Sequence, residues 1–147
     1  MNQKIENFLT SWAKGVIEIG KAYVDSGNYI EYAEDFLTTH YAFETERVLF
    51  KPTFTKEVVF RNTKEEALSY FVKGCIAEDN GFALKPWERI TLEELNIIDE
   101  EKLTVAMGSL RFKAANSEHT TLVAFTFVFI DVDGALKIKT HHSSPVV

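Results

Sequence analysis

Cysteine, long apolar runs and a signal-like N-terminus are what this sequence lacks. The chain of 147 residues has one cysteine, Cys75, so an internal disulfide is excluded and a reducing compartment fits. No apolar run reaches the ~20 residues of a membrane-spanning helix. Lys4, Glu6 and Lys14 lie where a signal peptide would need apolar residues. We therefore expect a cytoplasmic protein without a membrane partner.

Basic residues are also too few and too scattered to form a nucleic-acid surface. The chain carries 16 Lys and Arg against 22 Asp and Glu, which gives a net charge of −6, and it contains no basic block. Phosphate binding needs such a block, so a nucleic-acid partner is not expected. Repeats, linkers and low-complexity segments are absent as well. With 46% hydrophobic and 13% aromatic residues, the sequence predicts a single domain over 1–147 with a substantial core.

Helical spacing occurs at the N-terminus and again in the middle of the chain. One helix is predicted over 2–25 and a second over 29–41, together forming an αα-hairpin. The sequence Thr63-Lys64-Glu65-Glu66 fits a capping box, which predicts a third helix that ends near Ile76. The apolar residues of the first helix recur every three or four positions, at Ile5, Phe8, Trp12, Val16, Ile19 and Tyr23.

Strand-like segments occupy most of the rest of the chain. They are predicted at 47–53, 57–61, 86–95 (interrupted), 102–113 and 121–131, and a returning strand follows an Asp133-Gly134 turn. Helices followed by long antiparallel strands predict an α+β fold. In such a fold a curved sheet wraps the helices on its concave face and leaves a cone-shaped pocket.

The C-terminal strand ends in a dense polar cluster. Leu136 and Ile138 alternate with lysines, which predicts that they face inward. Counting on in twos, and assuming no bulge, Thr140, His142 and Ser144 share that inward face. On the same count, His141 and Ser143 point outward, so Ser143→Ala would serve as a control for Ser144→Ala.

The strand at 121–131 is apolar at nearly every position, on both of its faces. In the predicted α+β fold the helices cover only one face of this sheet. We therefore expect the second face to pack against another copy of the chain in a homodimer, and a charge such as Phe127→Asp to disrupt folding or assembly.

Five motifs, in this order, resemble a known family: VLFKPT (48–53), RNTKEEALSYFVKG (61–74), GFALKPW (81–87), AMGSLRF (106–112) and THHSS (140–144). The chain looks like an NTF2-like (SnoaL-like, cystatin-type) domain of the iota-class carbonic anhydrase group, related in fold to the association domain of calcium/calmodulin-dependent protein kinase II. The resemblance implies an NTF2-like cone and reversible CO2 hydration without a bound metal or cofactor. The substrate, CO2 or bicarbonate, would be held by hydroxyl side chains.

By motif position, the resemblance implies that the catalytic residues are Thr53, Tyr70, His142 and Ser144. The sequence departs from the family pattern in two respects. Leu110 and Phe129 stand where tyrosines are expected, and Pro145 follows Ser144 directly, whereas the family commonly has one residue between them.

Three alternatives compete with this reading. A catalytic zinc ion would need about three converging ligands, but His141 and His142 point to opposite faces of a strand and Cys75 is isolated. An isomerase-type pocket would need a buried Asp or Glu base, whereas acidic residues such as Asp79 are expected to be solvated. A non-catalytic association module remains the third possibility.

Overall fold

The computed structural model describes residues 1–147 as three α-helices, a 3₁₀-helix at Phe82–Leu84 and one five-stranded sheet. The helices are α1 Asn2–Val24, α2 Tyr29–His40 and α3 Lys64–Val72. The strands are β1 Leu49–Lys51, β2 Trp87–Asp99, β3 Thr104–Ala114, β4 Thr120–Val132 and β5 Ala135–Pro145. The predicted α+β class is confirmed.

The sheet has the strand order β1-β5-β4-β3-β2, in which every pair is antiparallel except β1 with β5. Two register irregularities in β2 and one between β4 and β5 mark bulges, which increase the local twist and bend of strands. Phe127 and Phe129 of β4 are fully buried against Phe8 of α1. The helices therefore lie on one face of the sheet and share with it a core of 29 buried residues.

The helix boundaries follow from local capping chemistry. The predicted capping box opens α3, because Thr63 Oγ1 accepts from the Glu66 amide at 3.2 Å and Glu66 accepts from the Thr63 amide at 3.2 Å. The helix ends at Val72, before the expected Ile76, because Lys73 adopts a left-handed conformation with φ 60°. The Ile76 amide donates instead to Ser69 Oγ at 3.0 Å.

The strand predicted at 57–61 is wrong, since this segment is irregular in the structure. The carboxylate of Glu78 accepts hydrogen bonds from the amides of Lys56 and Glu57, the latter at 2.7 Å. These donors are therefore unavailable to a strand ladder. Phe60 is 62% exposed, so the segment also lacks a buried face that would favour strand pairing.

None of the three helices is both long and apolar enough to cross a membrane.

The Asp-Gly turn between β4 and β5 is confirmed, with positive φ at both Asp133 (52°) and Gly134 (88°), as two-residue hairpins of this kind require. The Gly134 amide also donates a hydrogen bond to Asp131 Oδ1 at 2.8 Å.

Candidate active site

A bulge in β5 decides which of its polar side chains face the helices. Thr140 pairs with Val128 and Ile138 pairs with Phe129, so Lys139 has no partner in β4. One extra residue shifts the alternation by one. His141 and Ser143 are buried, each 4% exposed, whereas His142 is exposed and Ser144 is half-buried.

The predicted inward register of Thr140, His142 and Ser144 is therefore wrong beyond the bulge. Before it, Leu136 and Ile138 face the core as expected. His142 and Ser144 instead line a groove on the opposite face of the sheet.

A small cavity of about 10 Å³ lies between the helices and the sheet. A space of this size admits roughly one water molecule, so the structure has a nearly closed pocket rather than an open cone. Ten of its 14 lining residues are hydrophobic. The polar side chains on its wall include Thr53, Tyr70, His141 and Ser143. Two of the four predicted site residues, Thr53 and Tyr70, thus line this cavity.

Thr53 and Tyr70 approach the cavity from the side of α3. Thr53 follows β1 and is 8% exposed, and Tyr70 lies in α3 and is 6% exposed. Tyr70 Oη accepts a hydrogen bond from the Phe54 amide at 3.3 Å. Burial raises the pKa of Tyr70, and hydrogen bonding with Phe54 and Thr53 opposes only part of that shift. Tyr70 is therefore a neutral phenol at physiological pH.

His141 and Ser143 form a hydrogen-bonded pair on the opposite wall. His141 Nε2 lies 2.6 Å from Ser143 Oγ, and His141 Nδ1 lies 2.8 Å from Tyr41 Oη. Burial lowers the pKa of His141 well below its ordinary value, and electrostatic interactions with His142 and Lys51 lower it further. His141 is consequently a neutral imidazole at pH 7.

Lys51 joins the two walls of the cavity from outside. Its Nζ donates to the Ser143 carbonyl at 3.0 Å and to the Thr53 carbonyl at 3.4 Å. Burial lowers the pKa of Lys51. The lysine thus ties β5 to the segment that carries Thr53 and places a cationic side chain beside the site.

A buried ion pair lies next to the ring of Tyr70. Arg61 is fully buried and binds Asp79 through two hydrogen bonds of 2.7 Å each, with its guanidinium carbon 5.9 Å from the centre of the Tyr70 ring. Ser69 Oγ also donates to Asp79, at 2.6 Å. The expectation that Asp79 is solvated is wrong, because it is 5% exposed. Its oxygens are already paired, so it does not supply the free base that an isomerase would need.

The two expected tyrosine positions differ in their relation to the cavity. Leu110 lines it, so an apolar side chain replaces a potential hydroxyl there. Phe129 lies deeper in the core and packs edge-to-face on Phe8 with ring centres 4.8 Å apart. No three His, Cys, Asp or Glu side chains converge in an arrangement able to hold a metal ion.

Sequence reasoning did not place His141 and Ser143 in the cavity wall, or Lys51 and Tyr41 beside it. The one available signal was that Pro145 follows Ser144 directly, against the spacing expected from the family resemblance. Lys51 and Tyr41 carried no sequence signal of their own. Tyr41 is 100 residues away from the histidine that it contacts.

Helices packed on one face of a curved sheet, with a small polar-and-apolar cavity between them, define an NTF2-like fold with an enclosed cavity. The chain belongs to the metal-independent carbonic anhydrase family, whose profile matches residues 3–145. A metal-independent carbonic anhydrase of Nostoc is 32% identical over 140 residues, covering 91% of this chain and 68% of the relative.

Solved structures agree on the fold. The crystal structure of a cyanobacterial iota-carbonic anhydrase complexed with bicarbonate matches with a TM-score of 0.94 and 29% identity, covering 100% of this chain and 93% of the other. A Xanthomonas campestris structure described as a calcium/calmodulin-dependent protein kinase II association domain matches with a TM-score of 0.74 at 17% identity, covering 99% and 88%. The predicted family resemblance and NTF2-like fold are confirmed.

Proposed function

We propose that this protein catalyses the reversible hydration of CO2 in the cavity between its helices and sheet, without a bound metal ion. The observation that carries the proposal is a nearly closed, mainly apolar cavity in which four uncharged hydrogen-bonding groups meet: Thr53, Tyr70, His141 and Ser143. Membership of a carbonic anhydrase family supports the reaction. The bicarbonate complex of the cyanobacterial relative supports the ligand.

The residues that line the cavity suit both the apolar substrate CO2 and the negative charge that develops when water attacks it. CO2 is small and has no net dipole, so apolar walls do not penalise its entry once the lining side chains move apart to enlarge the cavity of about 10 Å³. When water attacks the carbon, a C–O bond forms and negative charge develops on an oxygen of CO2. Preorganised hydroxyl donors in a water-poor site stabilise such a charge. The cation of Lys51, hydrogen-bonded to the backbone of Ser143, favours the same anion.

The proton lost by the attacking water leaves to a base in solution under this proposal. His141 is a weak base because its pKa lies well below its ordinary value, and Tyr70 already holds its proton. Neither residue is therefore suited to accept a proton at pH 7. The cavity groups act by donating hydrogen bonds and keep their charge states through the reaction.

The experiment is a stopped-flow CO2 hydration assay of the wild-type chain and Tyr70→Phe. The substitution removes one buried hydroxyl at almost constant volume, so hydration should fall several-fold or more, for a lost hydrogen bond of about 0.5–1.5 kcal/mol. Tyr23→Phe is the control, because Tyr23 is 46% exposed and lies outside the cavity. A wild-type chain no faster than the uncatalysed reaction would overturn the proposal.

We also propose that the chain forms a homodimer through the outer face of its sheet. Leu122, Val128 and Ile130 of β4 are only half-buried on this face, and Met107 of β3 is 56% exposed. They belong to an apolar surface that helices do not cover, and a dimer interface of ordinary size would cover about 800 Å² on each copy.

Light scattering tests the dimer. Met107→Glu should shift the chain toward monomer, because a charge would be buried at the interface. Ile30→Glu is matched in exposure, at 45%, but lies on α2 away from the sheet, so it should leave the mass unchanged. A wild-type monomer at micromolar concentration would contradict the proposal.

A further inference from the structure

Tyr41 lies behind the cavity wall and links α1 to β5. It is 1% exposed and does not line the cavity. Trp12 Nε1 donates to Tyr41 Oη at 3.2 Å, and Tyr41 Oη lies 2.8 Å from His141 Nδ1. The Tyr41 and His141 rings are nearly parallel, at 25°, with centres 5.9 Å apart. Any effect of Tyr41 on a ligand must therefore pass through His141.

The direction of the hydrogen bond between Tyr41 and His141 follows from the available partners. The indole of Trp12 can only donate, so it occupies a lone pair of Tyr41 Oη. His141 is the other partner that the structure gives this hydroxyl. If His141 donated to Tyr41, the phenolic proton would be buried without an acceptor, a situation that costs about 1–3 kcal/mol. Tyr41 therefore donates to Nδ1.

The direction of the hydrogen bond between His141 and Ser143 follows in the same way. A neutral imidazole has one ring proton, and with Nδ1 accepting, that proton is on Nε2. His141 Nε2 then donates to Ser143 Oγ across 2.6 Å. Ser143 cannot direct its own proton back to Nε2. Because His141 is the one hydrogen-bond partner of the Ser143 hydroxyl and Ser143 lines the cavity, that proton is free for a ligand in the cavity.

We propose that Tyr41 is a positioning residue that fixes the Nε2–H tautomer of His141 and thereby presents Ser143 to the cavity as a hydrogen-bond donor. The opposite tautomer would reverse both hydrogen bonds. Ser143 would then donate to His141 and turn only lone pairs toward the ligand, which would repel a bicarbonate oxygen. The hydrogen bonds that run from Tyr41 through His141 to Ser143 thus make the site selective for an anion. This anion-binding role rests on the proposed function, whereas the tautomer does not.

Nitrogen-15 NMR of histidine-labelled wild-type protein tests the tautomer directly. With His141→Gln used for assignment, the His141 ring should show a protonated Nε2 and an unprotonated Nδ1 at pH 7. A protonated Nδ1 in the wild type would overturn the inference. This measurement needs neither a variant of Tyr41 nor enzymatic activity, so it can succeed or fail independently of the CO2 hydration proposal.

Tyr41→Phe then tests the positioning role. It should abolish the fixed Nε2–H signature and reduce CO2 hydration roughly fivefold or more. Ser11→Ala is a matched control, because Ser11 Oγ lies 2.9 Å from Nε2 of another buried histidine, His40, outside the cavity. It should change neither the His141 signature nor the rate. A Tyr41→Phe protein with the wild-type tautomer and rate, or a Ser11→Ala protein that loses both, would overturn the assignment.

Discussion

His141 and Ser143 are two residues apart on β5, and their side chains meet at 2.6 Å on the inner face of the sheet. Residues at this spacing share a face of a strand, whereas neighbours in sequence do not. Their neighbours His142 and Ser144 therefore belong to the outer face, where they line a groove. Two chemically identical pairs thus lie on the two sides of one strand, and substitutions can distinguish them.

Ser143→Ala should reduce CO2 hydration or bicarbonate binding, and Ser144→Ala should leave both near the wild-type value. Only Ser143 lines the inner cavity, and losing one positioned hydrogen bond there corresponds to about 0.5–1.5 kcal/mol, a several-fold effect. Initial rates of the two variants under one buffer condition make the comparison. The reverse pattern would mean that β5 functions in the other register.

CO2 hydration should survive exhaustive treatment with EDTA. The reason is structural, because no three metal-binding side chains converge anywhere in residues 1–147. Rates before and after chelation, on protein checked for metal content, measure the effect. Loss of activity on chelation, followed by recovery with zinc or manganese, would instead establish a metal-dependent enzyme.

Acid should destabilise the protein through its buried histidines. Burial lowers the pKa of His40 from 6.5 to about 4, with a smaller contribution from the charge of Lys137, while the hydrogen bond to the Phe36 carbonyl opposes the shift. Between these values the unfolded chain binds a proton that the folded chain does not. The free energy of unfolding therefore falls as pH drops through this window, by up to about 1.4 kcal/mol per pH unit for this group, and is unaffected by it above the window.

Urea unfolding at several pH values between 7.5 and 4 measures this slope. His40→Gln should reduce it in part, because one of the two buried histidines whose pKa differs between the folded and unfolded states is gone, while His141 remains. His119→Gln should leave the curve unchanged, since His119 is exposed. Equal slopes in wild type and His40→Gln would exclude His40 as the cause.

Arg61→Met should destabilise the protein by about 3–5 kcal/mol, the usual result of removing one partner of a buried ion pair. Asp79 would keep a charge in the interior while losing two hydrogen bonds of 2.7 Å. Urea unfolding at pH 7 provides the value. Arg89→Met removes an exposed arginine paired with Glu88 and should cost less than about 0.5 kcal/mol. A comparable loss in both variants would rule out a special role for the buried pair.

The helices, the long strands and the β4–β5 turn could be predicted because each depends on local pattern. Apolar spacing places α1 at 2–24 against an expected 2–25, and the Thr63–Glu66 capping box opens α3 as anticipated. Family motifs led to Thr53 and Tyr70 in the same way. These features need only residues that are close in sequence.

The rest of the site depends on long-range contacts that no local pattern encodes. The bulge at Lys139 arises where β5 changes its pairing with β4. The alternation of residues within β5 alone does not reveal such a bulge. Tyr41 reaches His141 only because α2 ends beside β5, where Tyr41 bridges to Ile138. The segment at 57–61 has strand-forming residues, but Glu78, some twenty positions later, takes up the amides that a ladder would use.

The His-His-Ser-Ser sequence at 141–144 has a consequence for how β5 could change over time. If Lys139 paired regularly with β4 and the bulge disappeared, strict alternation would return and would turn His142 and Ser144 inward in place of His141 and Ser143. An imidazole and a hydroxyl would still reach the cavity at the same spacing. The duplicated motif is therefore redundant, because loss of the bulge would exchange the two residues that face the cavity while conserving their chemistry.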